Sequence, residues 1–216
     1  MMRWVVGLVA AAGLVAGCAG PHPAAVVKVG DPASRAQPPG PGAAPTPHPT
    51  LPPGVLVVPA SSHVTGLPYP AHCVAFNGGQ YPDPACTPGA LRDDIDPAHL
   101  EDTVCKPLWS DSVRPPKAET DRLKTQAMSA YGVPASQRPH TELDHYIPES
   151  WGGASDVHNL WAQVSDLHGA GFHNSKDNSE TAIHGWICAG HRDQWAHAVE
   201  VWVADWTTAK QKLGIK

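Results

Sequence analysis

The chain has 216 residues, of which 20 are Asp or Glu and 15 are Lys or Arg, for a formal net charge of −5. That balance argues against a tight, non-specific nucleic-acid binder held by charge alone, because such proteins are normally basic. Five cysteines, none in a Cys-x-x-Cys pair, argue against a structural zinc ribbon or a thioredoxin-like redox motif.

The N-terminus reads as an export signal. Met1-Met2-Arg3 precedes an apolar run over residues 4–17 that ends at Cys18. The run is about 14 residues, short of the roughly 18 that a membrane span needs. Its end, Val15-Ala16-Gly17-Cys18, resembles the lipobox of bacterial lipoproteins, which implies cleavage before Cys18 and lipidation of that residue. The expected location is the outer face of the cytoplasmic membrane, lipid-anchored; an ordinary cleaved signal and secretion are the alternative.

Residues 19–68 are dominated by Pro, Ala, Gly and Val, as in Pro45-Thr46-Pro47-His48-Pro49, and are expected to be an extended tether. Val55-Leu56-Val57-Val58 is a short apolar exception that reads as a strand or a docking segment. The folded domain is expected over residues 69–216, long enough for one core.

Export predicts an oxidising destination, where Cys73, Cys86, Cys105 and Cys188 would form two disulfides. Four cysteines allow three connectivities. The favoured one joins Cys73 to Cys86 as a local loop and Cys105 to Cys188 as a long-range staple.

The spacing of Leu123, Ala127, Ala130 and Tyr131 after Pro115-Pro116 predicts a helix over 118–131. The cations Arg114, Lys117, Arg122 and Lys124 at this point read as a solvated helix face or, alternatively, a phosphate-contacting one. Residues 141–147 and 159–164 read as short strands joined through Gly152-Gly153. A helix beginning at Asn174 or Ser175 should bury Ala182, Ile183, Trp186 and Ile187. A last helix over 193–213 should bury Trp195, Val199, Trp202, Val203 and Trp206 as core.

Strand, glycine-bearing loop, strand and helix make a ββα unit. Asp144 and His145 stand at the end of its first strand, Asn159 at the start of its second and His173 at the helix entrance. Neighbours in a regular strand face opposite ways, so Asp144 and His145 can share a site only if the strand ends there. Phosphodiester hydrolysis needs such a set: a base for water, a cation for the developing charge and a group that orients the base.

Asp144-His145, Ile147-Pro148, Gly152-Gly153, Asn159-Leu160 and His173-Asn174 followed by Lys176-Asp177 together resemble the HNH endonucleases, the ββα-metal family that includes the colicin-type DNases. The likeness covers roughly residues 87–206 and is similar to that of small exported bacterial proteins carrying this domain. Trp151 departs from it, standing where smaller residues are usual.

The resemblance implies an α+β fold in which a ββα-metal (HNH) motif is embedded in a mainly helical, disulfide-stapled domain. It implies a metal-dependent endonuclease of DNA, or of RNA, with His145 as general base and Asn159 keeping its imidazole oriented. Asp144 and His173, the latter in preference to Asn174, would hold one divalent ion. Mg²⁺ is expected first, with Zn²⁺, Mn²⁺ or Ni²⁺ admitted by the imidazole. Lys176, Asn174 and Glu180 would meet a phosphate or support the ligands. The competing expectation is a non-catalytic envelope lipoprotein that keeps the fold as a binding or structural module. No His-Glu-x-x-His or Gly-x-Ser-x-Gly motif is present to suggest another exported hydrolase.

Overall fold

The computed structural model of the protein describes residues 51–167 and 173–216. The expected signal peptide, Cys18 and the first part of the tether lie outside the described residues. In the described part, two small sheets stand among helices, a mixed α+β arrangement with two disulfides.

Part of the segment expected to be tether, from residue 51 on, belongs to the fold. Leu56–Val58 forms β1, which pairs in parallel with β2, Ala90–Arg92, in the register Leu56↔Ala90 and Val58↔Arg92. Leu51 and Val55 pack against the main core, and Val64 packs against a smaller cluster around Leu123, Val157 and Leu160. The apolar β-branched run thus finds a strand partner some thirty residues away, a long-range pairing invisible to local composition.

Between the sheets lie α1, Trp109–Val113, and α2, Lys117–Ala130. Pro115 and Pro116 stand just ahead of α2, where fixed φ favours a helix start and a missing N–H costs nothing. The helix buries Leu123 and Ala127, four apart, and sets them against the hairpin formed by β3, Thr141–His145, and β4, Leu160–Val164. The strands are antiparallel, with Leu143 opposite Ala162 and Asp144 opposite Trp161.

The helix α3, Ser175–Cys188, follows the hairpin and buries Ile183 and Ile187 against α4, Trp195–Lys212. Trp195, Val199, Trp202 and Trp206 line the core, as their spacing predicts. Trp151 is fully buried and meets Trp202 edge-on, ring centroids 4.7 Å apart. Each such burial contributes on the order of 2 kcal/mol. Ala182, Trp186 and Val203 are half-buried instead of fully buried, and Trp186 stacks on His191.

The last helix is interrupted where a single helix was expected. Asp205 adopts φ −172° and ψ 93°, and its carboxylate accepts the Thr207 N–H and the Thr207 and Thr208 hydroxyls. An acid that bonds the next residues' donors is an N-cap, so the helix restarts there.

Both disulfides join the expected partners. Cys73–Cys86 closes a 13-residue separation, and Cys105–Cys188 ties the segment before α1 to the end of α3 across 83 residues.

Candidate active site

Strand alternation places Glu142 and Asp144 on one face of β3, and the strand ends at His145. Glu142, Asp144 and His145 accordingly line one cleft of about 420 Å³ together with Arg114, Glu149, Asp177 and Glu180. Asp144 is buried and accepts the Trp161 indole N–H at 2.9 Å from the partner strand.

Asn159 is fully buried and divides its amide between the connecting loop and β2. Its Oδ1 accepts the N–H groups of Ala90, at 3.3 Å, and Ile147, at 2.9 Å. Its Nδ2 donates to the carbonyls of Ile147 and Ala154 at 2.9 and 3.0 Å. Asn159 therefore holds the loop, and it does not orient the imidazole as expected. That contact belongs to Ser155, whose Oγ lies 3.0 Å from His145 Nε2.

The start of α3 supplies the rest. Asn174 is the N-cap and forms a capping box with Asp177, whose Oδ2 accepts the Asn174 N–H at 3.0 Å. The Asn174 side chain also donates to the Glu142 carboxylate. The helix start is thereby clamped to the strand, and one carboxylate oxygen from each of Glu142, Asp144 and Asp177 comes within 4.8 Å of the others.

His173 does not join them. It precedes the N-cap, its side chain is 82% exposed, and its Nδ1 sits 3.6 Å from Asp177 Oδ2. The structure does not bring the expected ligand pair Asp144 and His173 together; among the described residues, Glu142, Asp144 and Asp177 are the group close enough to hold an ion, and three carboxylates would suit a hard cation such as Mg²⁺ or Mn²⁺ better than Zn²⁺ or Ni²⁺. Strand period and the Asn-x-x-Asp capping pattern carried the signal for Glu142 and Asp177.

Lys176 departs from the expected phosphate contact. It is fully buried, and its Nζ donates to Asp144 Oδ1 at 3.0 Å, to the His145 carbonyl at 2.9 Å and to Glu180. Three donors meet three acceptors, leaving none for a substrate. Glu180 thus serves the intrahelical pair while its residue lines the cleft.

Charge is crowded here. Burial, reinforced by Asp144 and Asp177, pushes the Glu142 carboxyl up to about 8. Burial raises Asp144 too, against the opposing pull of Lys176, and takes Glu180 up to about 7 despite the same ammonium. Burial alone would lower Lys176, but Asp144 and Glu180 outweigh it and hold the ammonium charged. His145 is pushed down to about 3 by burial, then by the Lys176 and Arg114 cations. Near neutral pH its imidazole is uncharged, with one ring nitrogen carrying a lone pair.

Of the four cations expected near α2, Arg114 alone lines this cleft among the described residues. Its guanidinium grips Glu149 Oε2, with Nε at 3.0 Å and the second amine at 2.8 Å, yet its side chain remains 60% exposed. Lys117 pairs with Asp121 at 2.6 Å, and Arg122 lies in a separate groove beside residues 67–72. Glu149 and Ser155 carried no sequence signal, because their place at the site depends on how the connecting loop folds back.

Set against protein-family models, curated proteins and solved structures, the chain matches none of them.

Proposed function

We propose that this chain is a divalent-metal-dependent nuclease of the ββα-metal (HNH) type, exported and held outside the cytoplasmic membrane by a lipid on Cys18. The observation that carries the reading is one cleft shared by the His145 imidazole, a cluster of three carboxylates and an exposed guanidinium. His145 takes a proton from the attacking water, and the phosphorus–oxygen ester bond opposite that water breaks. A cation held by Glu142, Asp144 and Asp177 would supply charge stabilisation for the phosphorane and its leaving oxygen. Asn174 and Lys176 keep those carboxylates in place, and Arg114 offers the cleft's exposed positive group to a phosphate. The acidic surroundings make the cation essential for a polyanionic substrate to approach. Two disulfides agree with an oxidising compartment.

One observation favours the non-catalytic alternative: both Asp144 oxygens already accept hydrogen bonds, from Lys176 and Trp161. A nicking assay separates the two. The purified, oxidised chain is incubated with supercoiled DNA plasmid, in Mg²⁺ or in chelator. The nuclease reading requires nicking in Mg²⁺ that chelator abolishes and His145→Ala reduces by about 100-fold or more; nicking that survives His145→Ala defeats it. Calorimetric Mg²⁺ binding should weaken in Glu142→Gln and Asp177→Asn and stay unchanged in His173→Ala.

A further inference from the structure

His145 has two ring nitrogens, and only the one without a hydrogen can take a proton from water. The surroundings decide which one that is. Arg114 grips Glu149 through Oε2, and the other oxygen, Oε1, lies 3.4 Å from the Ser155 hydroxyl. Ser155 Oγ in turn lies 3.0 Å from His145 Nε2. Glu149 and Ser155 are each 6% exposed, so neither bond is shared freely with water.

An ionised carboxylate only accepts hydrogen bonds. Ser155 has a single proton, and giving it to Glu149 leaves the hydroxyl's lone pairs to accept from the ring. Nε2 therefore carries the hydrogen. Nδ1 keeps its lone pair, and no described residue bonds to it.

We propose that Glu149, acting through Ser155, is a positioning residue that holds His145 in the Nε2–H tautomer and reserves Nδ1 as the nitrogen that activates water. The catalytic meaning rests on the nuclease reading above, but the tautomer does not. The direction of the chain depends on the carboxylate's charge state. A glutamine at 149 keeps its carbonyl on Arg114 and turns its amide N–H toward Ser155, which reverses the hydroxyl and moves the ring hydrogen to Nδ1.

The test is long-range ¹H–¹⁵N correlation of the imidazole rings in the labelled full chain at mildly alkaline pH, with the His145 signals identified by their loss in His145→Gln. Wild type should show the Nε2–H pattern, and Glu149→Gln should move it toward Nδ1–H. In Ser155→Ala the shifts should leave the locked wild-type values for an average of both forms. An Nδ1–H pattern in wild type overturns the proposal, as does a folded Glu149→Gln that keeps the wild-type shifts. Should Glu149→Gln not fold, wild-type shifts retained in Ser155→Ala overturn it equally. A chain with the expected tautomer that fails to nick plasmid supports the positioning and defeats the nuclease reading.

Discussion

Lys176 shows how one buried charge organises its neighbours. Its ammonium is enclosed by Asp144, Glu180 and the His145 carbonyl, and removing it would strand the buried Asp144 and the half-buried Glu180. Lys176→Met should lower the unfolding free energy by about 3–5 kcal/mol, read from denaturant midpoints, while keeping the side chain's length. The same cluster sets a pH signature. Glu142 and Glu180 hold their protons up to about 8 and about 7, above the 4.5 expected of the unfolded chain. The folded state therefore binds more protons in that window, and stability falls as pH rises through it. His145 works in the opposite sense, since the unfolded imidazole is protonated below 6.5 and the folded one only near 3. It adds stability as pH rises to 6.5 and then nothing more. In chelator, melting temperature should thus fall between about pH 6.5 and 8, and Mg²⁺, which favours ionised carboxylates, should reduce that fall; a temperature that rises across the window would count against the cluster.

At the scale of elements, the hairpin depends on a close approach at its connecting loop. A Cβ on Gly153 would lie 1.9 Å from the Ile147 carbonyl oxygen, and backbone cannot yield there as a flexible side chain would. Gly185, on α3, faces open space. Thermal unfolding should show Gly153→Ala destabilised by at least about 2 kcal/mol and Gly185→Ala stabilised by about 0.5–1 kcal/mol. Elements with a repeating apolar face were legible: α2, β3 and β4 fall within a residue or two of their expected bounds, and α3 begins where expected. The strand β1 was not, because three residues have too little periodicity to separate a strand from a docking segment. The break in α4 was hidden as well, since Asp205 and the two threonines sit inside an unbroken apolar rhythm.

Across the whole molecule, Cys105–Cys188 ties two segments 83 residues apart and beside the core that α3 and α4 share. Opening it restores loop entropy to the unfolded chain, so Cys105→Ser with Cys188→Ser should cost about 4 kcal/mol. Denaturant midpoints of oxidised wild type and the double variant measure it, and equal midpoints would mean the staple is redundant. By itself the sequence determined that four cysteines would form two disulfides, the helix and hairpin order, and that Asp144 and His145 stand where a strand stops, while the structure chose the disulfide partners. Those features follow from local spacing and cysteine arithmetic. Only the tertiary structure decided which groups surround His145. Glu149, Ser155 and Asp177 arrive there by loop return and helix docking, His173 is turned to solvent by its place before the N-cap, and Lys176 is drawn inward by two carboxylates. Contacts of that kind depend on three-dimensional closure, which no local period encodes.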